Sequence, residues 1–148
     1  MIAKRLSLLA LVAAGLTLAL VLLLQTGSSR AAGPYFATPG GSGTTCSQST
    51  PCSLATALAL ASQGDTIYLS SGTYTSPGAA VAVLTKTVTL QGGWNGAGTG
   101  ALIVDPDVYI TTLDGEGARR VVQMVGAISP TLDGLVIANG ACITACTD

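Results

Sequence analysis

The 148-residue chain contains no histidine. That absence removes the commonest general base and the commonest metal ligand together. Neither a Ser-His-Asp nor a Cys-His mechanism can be assembled from these residues. Charge is also scarce, at 9% of residues, and aromatic residues supply 4%. With so few aromatics no stacking platform is visible, although Tyr68 could make an outward contact; Trp94 reads as core or corner packing. The sequence also lacks a second helix long enough for a βαβ crossover, which excludes a doubly wound sheet.

One long apolar run stands at the N-terminus. Lys4 and Arg5 precede residues 6–24, which carry no charge and are mostly Leu, Ala and Val. Polar residues 25–29 follow, and Ser29-Arg30-Ala31 offers small residues at the −3 and −1 positions. This is the layout of a secretory signal cleaved after Ala31. An uncleaved membrane anchor is the alternative, because about 20 apolar residues span a bilayer. Either form places residues 32–148 outside the cytoplasm, secreted or on the cell surface, with the membrane touched only by that N-terminal segment. Without residues 1–31 the chain keeps three basic groups (Lys86, Arg119, Arg120) against seven acidic ones, a net charge of −4. A nucleic-acid partner, which needs clustered cations, is disfavoured.

The four cysteines form two close pairs, Cys46/Cys52 and Cys142/Cys146. In an exported chain an even count points to disulfides. A four-thiolate zinc site is the other option, but neither spacing has the tight knuckle of zinc ribbons. Spacing leaves connectivity open; the local bridges Cys46–Cys52 and Cys142–Cys146 are the expected ones. No metal and no cofactor is expected.

A short phrase occurs twice: Thr112-Leu113-Asp114-Gly115 and Thr131-Leu132-Asp133-Gly134, 19 residues apart. Repetition at such a period signals stacked structural units. Upstream, Leu54, Ala57, Leu58 and Ala61 mark one stripe of a helix within residues 52–62, with Ser53 as N-cap and Gly64 as C′. Strands are expected at residues 65–69, 73–75, 81–84, 87–91, 121–125 and 135–138. Ile67 and Val88 are separated by nearly the period of the phrase. One helix followed by strands between Gly-rich corners favours a parallel solenoid; a β-sandwich is the alternative.

Several residues resemble the beginning of secreted right-handed parallel β-helix proteins, the pectin-lyase-like fold. They are Cys52-Ser53-Leu54, Gly64-Asp65-Thr66-Ile67-Tyr68-Leu69, Gly72-Thr73-Tyr74, Leu90-Gln91-Gly92-Gly93-Trp94, the two Thr-Leu-Asp-Gly phrases, and the run continuing to Asn139-Gly140. The chain is most similar to large bacterial surface or secreted members, including those with polymorphic-outer-membrane-protein-type repeats. The resemblance implies an all-β, right-handed parallel β-helix in residues 32–148, with a short helix capping its N-terminal end and the first turns after it. Related proteins run on for many more turns, so a truncated chain is expected.

Candidate sites each have a structural counterpart. Asp114, Glu116 and Asp133, with Arg119-Arg120 nearby, could suit calcium and a base; Asp before Gly is also ordinary corner chemistry. Asp105 and Asp107 could form a glycosidase pair or a polar corner. Gly96-x-Gly98-x-Gly100 lacks the helix that a nucleotide loop requires. The reading is a non-catalytic exported protein for surface adhesion or carbohydrate contact, its partner an extracellular polysaccharide or a cell-surface molecule. The alternative is the first part of a polysaccharide lyase or glycoside hydrolase with its active site beyond residue 148.

Overall fold

A computed structural model describes residues 33–142. The apolar leader, cleavage after Ala31 and the position of Cys146 lie outside the described residues. Within them the chain is all-β with one helix: β1 (Tyr35–Ala37), α1 (Leu54–Leu60), β2 (Thr66–Ser70), β3 (Gly72–Tyr74), β4 (Ala80–Leu84), β5 (Thr89–Trp94), β6 (Thr111–Asp114), β7 (Arg120–Met124), β8 (Thr131–Asp133) and β9 (Val136–Ala138).

The strands form three sheets, ordered β1-β2-β5-β8, β3-β6-β9 and β4-β7. Every ladder between named strands is parallel. Sandwiches are built from antiparallel pairs, so the sandwich alternative does not describe these sheets. A parallel pair needs a long crossover. Between β1 and β2 the crossover carries α1; after β2 it is supplied by strands of the other two sheets, which the chain visits in rotation. Apolar residues therefore stack in columns. Tyr35, Ile67, Leu90 and Leu132 align across the first sheet, and Tyr74, Leu113 and Ile137 across the second. Ile67, Leu69, Leu84, Leu90 and Leu113 are fully buried at their centre.

The register corrects the expected period. Ile67 pairs with Leu90 and not with Val88, so one circuit is longer than the spacing of the phrase. The second sheet agrees, because Leu113 pairs with Ile137 and not with Leu132. The two Thr-Leu-Asp-Gly phrases do not stack: Thr112 in β6 aligns with Val136, whereas Thr131 in β8 aligns with Thr89. Each phrase is a strand running into a corner, and the corners differ. Gly134 turns at once with φ +61°, while the first corner places Glu116 and Gly117 in the left-handed region. A local phrase fixes a strand end, but cross-strand side-chain contacts fix the register.

Helix α1 begins as expected. The Ser53 hydroxyl accepts from the Thr56 amide at 3.2 Å, a standard N-cap contact. Leu54, Ala57 and Ala61 are buried, and the helix packs against β1, β2 and β4. Its C-terminus differs from expectation. Ala61 is the cap, and Gly64 (φ +85°) instead shapes the turn into β2. The Lys86 ammonium donates to the carbonyls of Ala59 (3.1 Å) and Ala61 (2.5 Å), placing positive charge at the negative end of the helix.

At the far end the columns finish in the open. Leu132, Val136 and Ile137 are exposed, although Leu132 and Ile137 continue the buried columns.

Candidate functional site

The acidic residues singled out by sequence are corner residues in the fold. Asp114 ends β6, and one carboxylate oxygen accepts from the Glu116 amide (2.7 Å) and the Asn139 side chain (2.9 Å). The Glu116 amide, and secondly the Asn139 amide group, hold its carboxyl below the usual carboxylate range. Glu116 pairs with Arg119 three residues on, so that guanidinium neutralises a neighbour at the same corner. Arg120 belongs to β7, where its amide donates to Ala79. Asp133 lies in β8 opposite Gln91, in a different sheet from Asp114. Among the described residues no three acidic or cysteine side chains meet to hold a metal.

Asp105 and Asp107 make a turn. The Asp107 amide donates to the Asp105 carboxylate (3.2 Å), and Tyr109 donates to the Asp105 carbonyl (2.8 Å). Both contacts are local and structural.

The disulfide Cys46–Cys52 is formed, with both residues fully buried. Its backbone brackets β1, because Phe36 donates to Cys46 and accepts from Cys52. Cys142 is disulfide-bonded as well. Such bonds fit an oxidising, extracytoplasmic compartment.

The largest departure from the sequence reading is an aromatic cluster. Phe36 stacks on Tyr68 with centroids 5.4 Å apart, and Trp94 meets Phe36 edge-on at 5.0 Å. Strand alternation puts Phe36 and Tyr68 on the face opposite Tyr35 and Ile67. They thus form a second, smaller cluster outside the main column core. Trp94 is packing, as expected; Tyr68 is half-buried against Phe36. Residues 95–110 leave the end of β5 beside this cluster and return to β6. Val104 bridges to Trp94, Asn95 donates to Ile103 (3.1 Å), and Asp105 donates to Gly93 (2.8 Å). The Gly96–Gly100 stretch is clipped down. Gln48, carried by the disulfide loop, donates to the carbonyls of Ala97 (3.0 Å) and Gly100 (3.4 Å). Nothing in the sequence signals Gln48, since its partners lie 49 and 52 residues away.

A buried polar knot joins the first two sheets. The Thr111 hydroxyl accepts from the Gly93 amide (3.0 Å) and faces the Ser70 carbonyl (3.1 Å). Beside it the Tyr74 hydroxyl donates to Ala37 (2.8 Å). These groups are saturated by one another and serve the fold. A shallow, mainly apolar groove of about 350 Å³ also runs between α1 and β4, with Leu58, Val81 and Val83 among its lining and Lys86 at its rim.

Comparison with protein-family models, characterised proteins and solved structures returns no match for this chain.

Proposed function

We propose that residues 32–148 are the N-terminal cap and first turns of an exported right-handed parallel β-helix, serving in non-catalytic surface adhesion or carbohydrate contact. The observation that carries this reading is the rotation of the chain through three parallel sheets, with α1 lying against β1, β2 and β4 at the start. A stacked sheet exposes a strand edge at each end, and a helix is one means of covering it. Leu132 and Ile137, exposed in columns otherwise buried, are the positions on which a further turn would pack. The disulfide supports work in an oxidising compartment. The non-catalytic part rests on the acidic residues, whose contacts are at corners, and on the absence of histidine.

The test is surface labelling of intact bacterial cells producing the tagged chain, followed by affinity electrophoresis in neutral polysaccharides. Accessible protein that is retarded without releasing sugar is the expected result. Protein shielded from label would refute the surface assignment. Release of unsaturated or new reducing ends would favour the lyase or hydrolase reading.

A further inference from the structure

We propose that residues 95–104 act as a lid over a saccharide-stacking site made by Phe36, Tyr68 and Trp94. The inference rests on the carbohydrate-contact reading and gives it a place and a ligand class.

The chain has one Trp and one Phe, and the fold brings both together with Tyr68 on a single sheet face. Trp94 is fully buried, yet its indole N–H has no acceptor among the described residues. A buried indole N–H ordinarily finds one, and leaving it bare disfavours the closed arrangement. The cover is attached lightly. One isolated bridge, Trp94 to Val104, made by the Asn95–Ile103 and Asp105–Gly93 backbone bonds, closes its base beside β5, and Gln48 clips its tip. Gly96 and Gly100 have positive φ and little packed against them, so the backbone after Trp94 can swing there without a side-chain penalty. The cover also turns Leu102 and Ile103 towards solvent instead of burying them.

Once uncovered, the three rings offer apolar faces together with one unsatisfied donor. A pyranose ring matches both features: its C–H face lies on an aromatic ring, and a hydroxyl oxygen accepts from the indole. The net charge of −4 on residues 32–148 works against an anionic polymer, so the ligand class is a neutral hexopyranose oligosaccharide. A closed lid lowers the apparent affinity by the fraction of molecules that are open.

The experiment titrates the oxidised whole chain in mild detergent with cellohexaose. Calorimetry follows binding, and the emission of the single Trp follows the site. Saturable binding with a matching emission change is expected. Gln48→Ala removes the clip but no ring, and should tighten apparent binding several-fold and raise acrylamide quenching of Trp94. Tyr68→Ala should weaken binding several-fold, with circular dichroism confirming that both variants fold. Calorimetric binding with unchanged Trp94 emission would place the sugar elsewhere: the site falls and carbohydrate contact survives. No heat from wild type or Gln48→Ala at millimolar saccharide would overturn the site and carbohydrate contact together.

Discussion

The Tyr74 hydroxyl donates to the Ala37 carbonyl at 2.8 Å, tying β3 to β1 across 37 residues of chain. The bond is buried, with the Ser70 hydroxyl and carbonyl also beside the phenol oxygen. Burial pushes the phenol from 10.0 up to about 12, outweighing the opposing effect of its hydrogen bonding with Ser70. In the unfolded chain the phenol ionises first, so its contribution is whole below pH 10.0 and is lost as pH climbs towards about 12. The difference between the two values bounds the loss at about 2–3 kcal/mol. Urea unfolding across that alkaline window should show the decline in wild type. Tyr74→Phe should flatten this part of the pH profile, and at neutral pH cost about 1–3 kcal/mol by stripping Ala37 of its donor.

Gly92 lies where β5 and the corner after β8 touch backbone to backbone. A Cβ there would stand 2.1 Å from the Gly134 carbonyl oxygen, and rigid backbone cannot give way as a side-chain tip can. Gly92→Ala should therefore destabilise the fold by about 3 kcal/mol or prevent β8 and β9 from seating. Gly40→Ala, with nothing within 4 Å of its new methyl, should change stability by under about 0.5 kcal/mol. Thermal melts of the pair decide the matter: equal melting temperatures would contradict the close approach.

Cys46–Cys52 closes a short loop, so chain entropy alone gives it about 2 kcal/mol. Its loss should also slacken Gln48, and with it the hold on Ala97 and Gly100. The double variant Cys46→Ser/Cys52→Ser should lower the melting temperature and speed amide exchange at Ala97 and Gly98 more than at Leu90. Uniform exchange changes across all three sites would show that the loop has no special link to residues 95–100.

Leu90 and Leu132 share one column, but Leu90 is sealed while Leu132 is 38% exposed. Leu90→Ala should cost about 2–5 kcal/mol by leaving a cavity. Leu132→Ala should cost only about 1–2 kcal/mol, because part of its apolar surface already faces solvent and no sealed cavity is left. A large penalty at Leu132 in equilibrium unfolding would mean that this end is covered in solution.

Much of the architecture is legible from residue types. The alternation of Thr66, Ile67, Tyr68 and Leu69 announces β2, and Ser53 ahead of the Leu54–Ala57–Ala61 stripe announces α1. Local chemistry suffices there, because a capping hydroxyl and a period-two pattern act over a few residues. The repeated phrase misleads for the same reason. Thr-Leu-Asp-Gly encodes a strand reaching a corner, and it says nothing about which strand lies alongside.

By itself the sequence determined the kinds of element, the scarcity of catalytic groups, and the pairing tendency of two closely spaced cysteines. Only the tertiary structure decided the register that sets Ile67 beside Leu90 and Leu113 beside Ile137. It also decided the separate sheets of the two phrases and the meeting of Phe36, Tyr68 and Trp94. Those outcomes depend on contacts between residues far apart in the chain, made once the columns close on one another. Gln48 is the clearest case. As a residue in a polar loop it carries no signal, and it becomes a clamp because parallel stacking brings β5 and its excursion beside the disulfide loop.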